Sequence, residues 1–175
     1  TENWNSSFKV ERFKEENDDM SAFGTTQSQS ENNKINWHNT LVLDAVNQLA
    51  FGIDHVEQEL EYASFGAVQT DTSRDNDGVY VVYLRDGEFA DLTVSMRHDD
   101  NERFGTQSTG SIALGKDLNQ NVRAWVSYGT AFKAPNLIDL YVNFPSFFFF
   151  ANPNLKPETS KNVEVGLQIQ ALGAQ

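Results

Sequence analysis

Apolar and polar side chains alternate with period two along much of the chain, which is the pattern of a half-buried strand. The clearest stretch is residues 89–99, and the same alternation recurs in residues 122–129 and 162–169. One side of the first stretch carries Ala90, Leu92, Val94 and Met96. The opposite side of each stretch is mostly polar, so the pattern predicts a sheet with one apolar face and one wet face.

Eight strands are predicted from this alternation. Their bounds are residues 3–15, 34–45, 49–62, 78–85, 89–99, 107–115, 122–130 and 162–170. The first has the weakest pattern, because FKVERFKEE also fits a short amphipathic helix. Between the strands, short turns are predicted at 45–48, 85–88 and 115–121, and long polar connections at 17–33, 63–77, 100–106 and 131–161.

The order of the connections predicts the topology. One short turn contains Asp86-Gly87, a strong signal for a two-residue hairpin. Short and long connections alternate, so an antiparallel up-and-down sheet would have every short turn at one edge and every long loop at the other, as in outer-membrane barrels. We therefore predict an all-β fold, an antiparallel up-and-down meander of about eight strands that forms a segment of a transmembrane β-barrel.

A soluble meander or sandwich is the alternative, in which one face of the sheet packs on a second sheet. It predicts a dry core that includes Leu92, Val94, Val126 and Val165. The net charge of −12 argues against a nucleic-acid partner, since phosphate contacts need clustered Lys and Arg. The chain has no cysteine and none of the common catalytic or nucleotide-binding motifs, so we do not expect an enzyme.

Two segments near the end of the chain carry a family resemblance. They read SYGTAFKAPNLIDLY (127–141) and NPNLKPETSKNVEVGLQ (152–168). In this order they resemble the mid-barrel signature of TonB-dependent outer-membrane receptors, particularly the cobalamin and siderophore branch. The matching positions are Tyr128, Phe132, Lys133, Ala134, Pro135, Leu140, Tyr141, Asn152, Pro153, Asn154, Leu155, Lys156, Pro157, Glu158, Ser160, Glu164 and Gly166.

The resemblance implies that residues 1–175 form one partial barrel segment, with the plug domain and the remaining barrel strands absent. The function it implies is uptake of a metal-siderophore or cobalamin-like ligand through the bacterial outer membrane. The implied partners are outer-membrane lipid and, in the full-length parent, a TonB-type energy-coupling protein. The segment alone is not expected to transport, and its open sheet edges favour self-association.

Most of the motif residues are interpreted as architectural. Pro135 cannot donate to a ladder and so ends a strand. The resemblance implies a helical turn near 136–141 and a descending strand from about Asn162. We expect Pro153 and Pro157 to keep the return segment extended, and Lys156 or Glu158 to pair with nearby charges.

The run Phe147, Phe148, Phe149 and Phe150 departs from the family pattern. These side chains are candidates for aromatic contacts in an external ligand pocket. The alternative, which we favour, is that they pack under the loop or join an aromatic girdle at the membrane rim.

The segment DTSRDNDG (71–78) resembles a calcium loop in its acidic spacing. Asp71, Asp75 and Asp77 are the candidate ligands, but Leu84 stands where a closing Glu would be needed. The sequence thus predicts at most a weak calcium site, and plain solvation of an acidic external loop is the alternative. No other cofactor is predicted.

Overall fold

The computed structural model describes residues 3–21, 24–144 and 148–170. Eight antiparallel strands form one sheet in chain order, with β1 and β8 at its two ends. The strands are β1 (Trp4–Ser21), β2 (Gly24–Val42), β3 (Asn47–Ser64), β4 (Ala67–Arg85), β5 (Asp91–Asn101), β6 (Gly105–Asn119), β7 (Val122–Lys133) and β8 (Glu158–Ile169). One short helix, α1 (Leu137–Tyr141), lies between β7 and β8. The predicted all-β meander is confirmed.

The first segment of the chain is a strand rather than an amphipathic helix. β1 pairs with β2 along its whole length, from Trp4 opposite Leu41 to Ser21 opposite Gly24. Its backbone hydrogen bonds therefore run between strands, which overrides a helical pattern in the side chains. Among the described residues, no helix has the length and apolar character that would let it cross a bilayer.

The strand register keeps the apolar side chains of successive strands on one face of the sheet and the polar ones on the other. Residues directly opposite each other on neighbouring strands share a face. Val94 on β5 lies opposite Tyr83 and Ile112 on one face, and Ser95 lies opposite Ser111 on the other. We call these the apolar face and the polar face. The apolar face includes Trp37, Phe51, Val81, Val94, Ile112, Val126 and Val165.

The apolar face is not a dry core. Val126 is 43% exposed and Val165 77% exposed, and Leu92 and Val94 are only partly covered. The soluble alternative required these four side chains to be buried against a second sheet. Within the described ranges, the apolar face instead remains open along its length, as expected for a surface that meets hydrocarbon.

Three of the four predicted long connections are wrong. Residues 17–33, 63–77 and 100–106 are mostly strand, so β1 to β4 each have 18 or 19 residues. Both faces of these extensions are polar, which removes the period-two signal even though the ladder continues. β1 to β4 rise by about 3.3 Å per residue, so each is far longer than the roughly 9–11 residues that a strand needs to cross a bilayer.

The two edges at which the strands begin and end differ in their connections. Tight connections at 43–46, 86–90 and 120–121 lie at one edge. The long connection, residues 134–157, lies at the other edge together with tight turns at 65–66 and 102–104, so the predicted separation of short turns from long loops holds for this one loop only. The Asp86-Gly87 turn is longer than the predicted two-residue hairpin. The N–H of Asp86 donates to the Val46 carbonyl of the neighbouring turn at 2.8 Å, so this N–H does not close its own hairpin.

Candidate functional site

The long connection between β7 and β8, residues 134–157, is called the external loop below. β7 ends at Lys133, just before Pro135, as predicted for a residue without an N–H. α1 begins after Asn136, whose backbone is extended (φ −67°, ψ 152°) and whose side chain makes no cap. The helical turn expected near 136–141 is confirmed. It turns the chain back over the polar face.

The helix packs against the upper part of β3. Leu137 and Val142 form one hydrophobic cluster with Leu60 and Tyr62, which point from the polar face of the strand. Leu140 on the same helix is only 1% exposed. Burial of an aliphatic side chain contributes roughly 1.5–3 kcal/mol. This cluster therefore provides an apolar attachment of the external loop to the sheet.

Arg74 on β4 holds the beginning of the loop. Its Nη1 donates to the Pro135 carbonyl at 2.9 Å, and its Nη2 donates to Gln58 Oε1 at 2.5 Å. The residue is 6% exposed, and its guanidinium lies 5.8 Å from the centre of the Phe104 ring. Burial lowers the pKa of Arg74 from its usual value.

Arg103, in the turn between β5 and β6, holds the middle and the end of the loop. It donates to the Tyr141 hydroxyl and, at 2.5 Å, to the Pro153 carbonyl. Its guanidinium also lies 5.0 Å from the centre of the Tyr141 ring. Thr70 Oγ1 donates to the Tyr141 carbonyl at 3.1 Å. Both halves of the family motif are therefore tied to neighbouring hairpins.

The described part of the phenylalanine run, residues 148–150, is exposed, and Phe149 is the least exposed of the three at 36%. Phe149 pairs with Phe144 through two backbone hydrogen bonds, and their ring centres are 5.7 Å apart. Phe148 has a left-handed backbone (φ 57°) and is 88% exposed, and Phe150 is 65% exposed. Phe147 lies outside the described residues. Phe148, Phe149 and Phe150 belong to the external loop and not to the apolar face of a strand.

The return segment is shaped by local hydrogen bonds. The N–H of Asn152 donates to the Asp139 carbonyl at 2.9 Å, and Asn152 Oδ1 accepts from the N–H of Asn154 at 3.0 Å. β8 begins at Glu158, directly after Pro157 and four residues before the start expected at Asn162. Ala134 is half-buried at the start of the loop, and Leu155 and Lys156 are exposed near its end. The expected pairing of Lys156 or Glu158 is absent from the ion pairs of the described residues.

Two motif residues lie on the side of the sheet opposite the loop. Tyr128 and Phe132 lie on the apolar face of β7, opposite Ile112 on β6 and Thr159 on β8 respectively. Tyr128 is 42% exposed there. These two positions therefore contribute to the outer surface of the wall, whereas Lys133 lies on the polar face.

A cleft of about 460 Å³ opens on the polar face below the loop. The charged residues of its lining are Arg74, Arg97, Asp99 and Lys133. Arg97 forms ion pairs with Asp99 on its own strand and with Asp54 on β3, each at 2.7 Å. Asp54 is buried beneath this contact.

The calcium prediction rested on an external loop, and that part of it is wrong. Residues 71–78 lie in β4, where strand geometry spreads Asp71, Asp75 and Asp77 along the apolar side over about 20 Å. Asp77 Oδ1 is 2.8 Å from His55 Nδ1. In the part of the chain that is described, no three His, Asp or Glu side chains gather into a group that could hold a metal ion.

Lys133 and Ala134, which line the cleft, were singled out in the sequence, but the arginines that hold the loop and the Asp54–Arg97 pair were not predicted. Arg74 lies inside the segment interpreted as a calcium loop, and Arg103 inside a predicted connection. Asp54 and Arg97 carry only the signal of polar positions in alternating strands. Their contact depends on the register of three strands, which no local pattern specifies.

The chain belongs to the TonB-dependent receptor family, since residues 1–174 match the family model described as TonB dependent receptor-like, beta-barrel. It is an outer-membrane β-barrel segment, so the apolar face meets lipid and the polar face lines the lumen. It is 34% identical over 171 residues to the vitamin B12 transporter BtuB of Vibrio vulnificus, covering 95% of this chain and 27% of that protein. It is 31% identical to BtuB of Photobacterium profundum, covering 93% of this chain and 26% of that protein.

Solved structures agree with the fold. The siderophore receptor PirA from Pseudomonas aeruginosa superposes with a TM-score of 0.69 at 21% identity, over 96% of this chain and 37% of the receptor. PirA from Acinetobacter baumannii gives a TM-score of 0.69 at 16% identity, over 97% of this chain and 33% of the receptor. Compared with the BtuB proteins that it matches, the chain spans about a quarter of their length.

Proposed function

We propose that this segment forms part of the barrel wall and external mouth of a receptor that imports a cobalamin-like ligand. The observation that supports the proposal most directly is the similarity to vitamin B12 transporters, which extends over 95% of the chain at 34% identity. The solved siderophore receptors are less than 25% identical and support the fold alone. A metal-siderophore is therefore the alternative outcome of the test.

In this proposal the chain's own residues shape the mouth. The long strands β1 to β4 raise the wall beyond the bilayer, and the external loop folds inward over the lumen. Phe148 and Phe150 are exposed at this outer end and offer aromatic surface to a ligand. Energy for import would come from a TonB-type partner acting on parts of the receptor other than this wall.

Uptake by the intact receptor tests the proposal. The receptor that contains this segment is expressed in a Gram-negative host without its own cobalamin receptor, and accumulation of labelled cobalamin is measured with and without the TonB-type protein. We expect accumulation that needs the energy-coupling partner. Accumulation of a ferric siderophore, with no binding of cobalamin, would overturn the ligand assignment.

Phe148→Ala with Phe150→Ala should weaken ligand binding, while Phe89→Ala, an exposed residue at the opposite edge, serves as the control.

A further inference from the structure

Arg74 is a buried cation without a counter-ion. It is 6% exposed, and it appears in none of the ion pairs formed among the described residues. Its two hydrogen-bond partners, Gln58 Oε1 and the Pro135 carbonyl, are neutral. Its Nε is buried and has no partner at all. A buried guanidinium stays charged, so its environment is incomplete until an anion compensates it.

The lack of a carboxylate at Arg74 is not caused by a shortage of acids. The chain has 25 Asp and Glu against 13 Lys and Arg. Arg12, Arg97 and Arg123 each contact at least one carboxylate. Arg74 lies among acidic residues in the sequence, yet strand alternation sends its side chain to the polar face while Asp75 and Asp77 point away. The fold therefore separates this cation from the nearest acids.

The cleft beside Arg74 has a second cation available. Lys133 lines the same cleft and has no ion-pair partner among the described residues. Asp99, the acidic residue that lines this cleft, is already engaged, since Arg97 donates three hydrogen bonds to it at 2.7–3.0 Å. The Thr130 hydroxyl and the Asn101 amide also line the cleft, but they already bond to Gly110 and Asn76 respectively. Within the described part of the chain, Arg74 and Lys133 are the two cations of the cleft without an ion pair, and charge-assisted hydrogen bonds to an oxyanion are the strongest contacts that they can make.

We propose that Arg74, with Lys133, forms a binding site for one oxyanion, a phosphate or a carboxylate group, on the lumenal side of the wall beneath the external loop. The anion would supply the counter-charge that Arg74 lacks. The group could belong to the imported molecule or be an independent small anion. The proposal does not depend on cobalamin being the ligand, because the site is defined by its charge alone.

Thermal unfolding of the intact receptor in detergent micelles tests the site. Inorganic phosphate replaces chloride at fixed pH and ionic strength, and the apparent melting temperature is followed. We expect phosphate to raise the melting temperature of the wild type in a saturable way. Arg74→Gln should weaken the apparent phosphate affinity at least tenfold, and Lys133→Gln should weaken it less. Equal phosphate responses in the wild type and Arg74→Gln, or no response in the wild type, would overturn the proposal.

Arg103→Gln is the matched control, because Arg103 also holds the external loop but is exposed and satisfied by Tyr141 and Pro153. It should keep the phosphate response, and loss of the response in this variant would show that phosphate acts through attachment of the loop instead.

Arg74→Lys keeps a cation and should respond more weakly than the wild type. It replaces Arg74→Gln if that variant does not fold. Saturating imported ligand should abolish the response if the ligand supplies the oxyanion, and leave it intact if the anion is independent.

Discussion

The guanidinium of Arg97 on β5 reaches across β4 to the carboxylate of Asp54 on β3. Nη1 lies 2.7 Å from Oδ2, and Nη2 lies 2.9 Å from Oδ1. The register places Gly78 between them, opposite Asp54 on one side and Asp99 on the other. A Cβ at Gly78 would lie 2.0 Å from Arg97 Nη2. The missing side chain at Gly78 therefore gives room for an ion pair between strands that are not adjacent.

Gly78→Ala should displace the Arg97 guanidinium and leave the buried Asp54 poorly paired. We expect the free energy of unfolding to fall by about 2 kcal/mol, since hydrogen bonds to charged groups contribute amounts of this size. Urea unfolding of the intact receptor in lipid vesicles measures the change. Gly129→Ala is the matched control, because its new methyl group would meet Ser111 Cβ at 3.5 Å, an ordinary contact. Similar destabilisation by the two variants would contradict this account.

Val94 and Ser95 test which face of the sheet meets lipid. They are neighbours on β5 and point to opposite faces. Val94→Lys should destabilise the receptor by about 2–4 kcal/mol, the cost of a lysine on the lipid side of a barrel near the middle of the bilayer. Ser95→Lys should cost about 1 kcal/mol, for loss of the hydrogen bond to Ser111. Equilibrium unfolding in vesicles compares the two, and the reverse order would mean that the faces are assigned wrongly.

Leu140 and Ile138 test how the external loop is attached. Leu140 is 1% exposed, whereas Ile138, on the same helix, is 38% exposed. Leu140→Ala should remove about 2 kcal/mol or more of packing beneath α1 and loosen the helix. Hydrogen exchange at the amides of Leu140 and Val142, which bond to Asn136 and Ile138, should become at least about tenfold faster. Ile138→Ala should leave exchange nearly unchanged, so equal acceleration by both variants would refute the attachment.

Glu31 should make the upper part of the β1–β2 hairpin sensitive to acid. The Arg12 guanidinium, 2.7 Å away, and the Asn33 amide lower the pKa of Glu31 in the folded state. A lowered folded-state pKa gives stability that is present above the unfolded-state pKa and is lost as the pH falls through the folded-state value.

Hydrogen exchange of this hairpin in the receptor should therefore accelerate as the pH falls below the ordinary Glu range, once the intrinsic pH dependence is subtracted. Glu31→Gln should flatten that profile. Glu61→Gln, on neighbouring β3, removes an exposed carboxylate that lies opposite Gln29, forms no ion pair among the described residues and should leave the profile steep. An unchanged profile in Glu31→Gln would show that another group is responsible.

Period two in the sequence was sufficient to predict the strands of the bilayer region, but not their full lengths. Val94 and Ser95 were assigned to opposite faces correctly, because hydrocarbon selects apolar side chains at every second position. The extensions beyond the bilayer have water on both faces, so no such selection acts on them. Residues 17–33 and 63–77 consequently resembled loops although their backbone pairs as strands.

The external loop was predicted in outline and not in its contacts. Pro135 marks the end of β7 because proline cannot donate to a ladder, which is a local property. The partners of that segment, Arg74 and Arg103, come from hairpins 61 and 50 residues away from the carbonyls they bind. Nothing in either stretch of sequence indicates the other.

The amino-acid sequence alone determined the β-meander, its two contrasting faces and its family, because these follow from alternation and from motif residues that are close in the chain. Only the tertiary structure decided that Arg97 pairs with Asp54 across Gly78, that Arg74 is buried without a counter-ion, and that the external loop lies over the lumenal face. The physical reason is register. A shift of one residue between strands would send each of these side chains to the opposite face, and register is set by all strand pairs together.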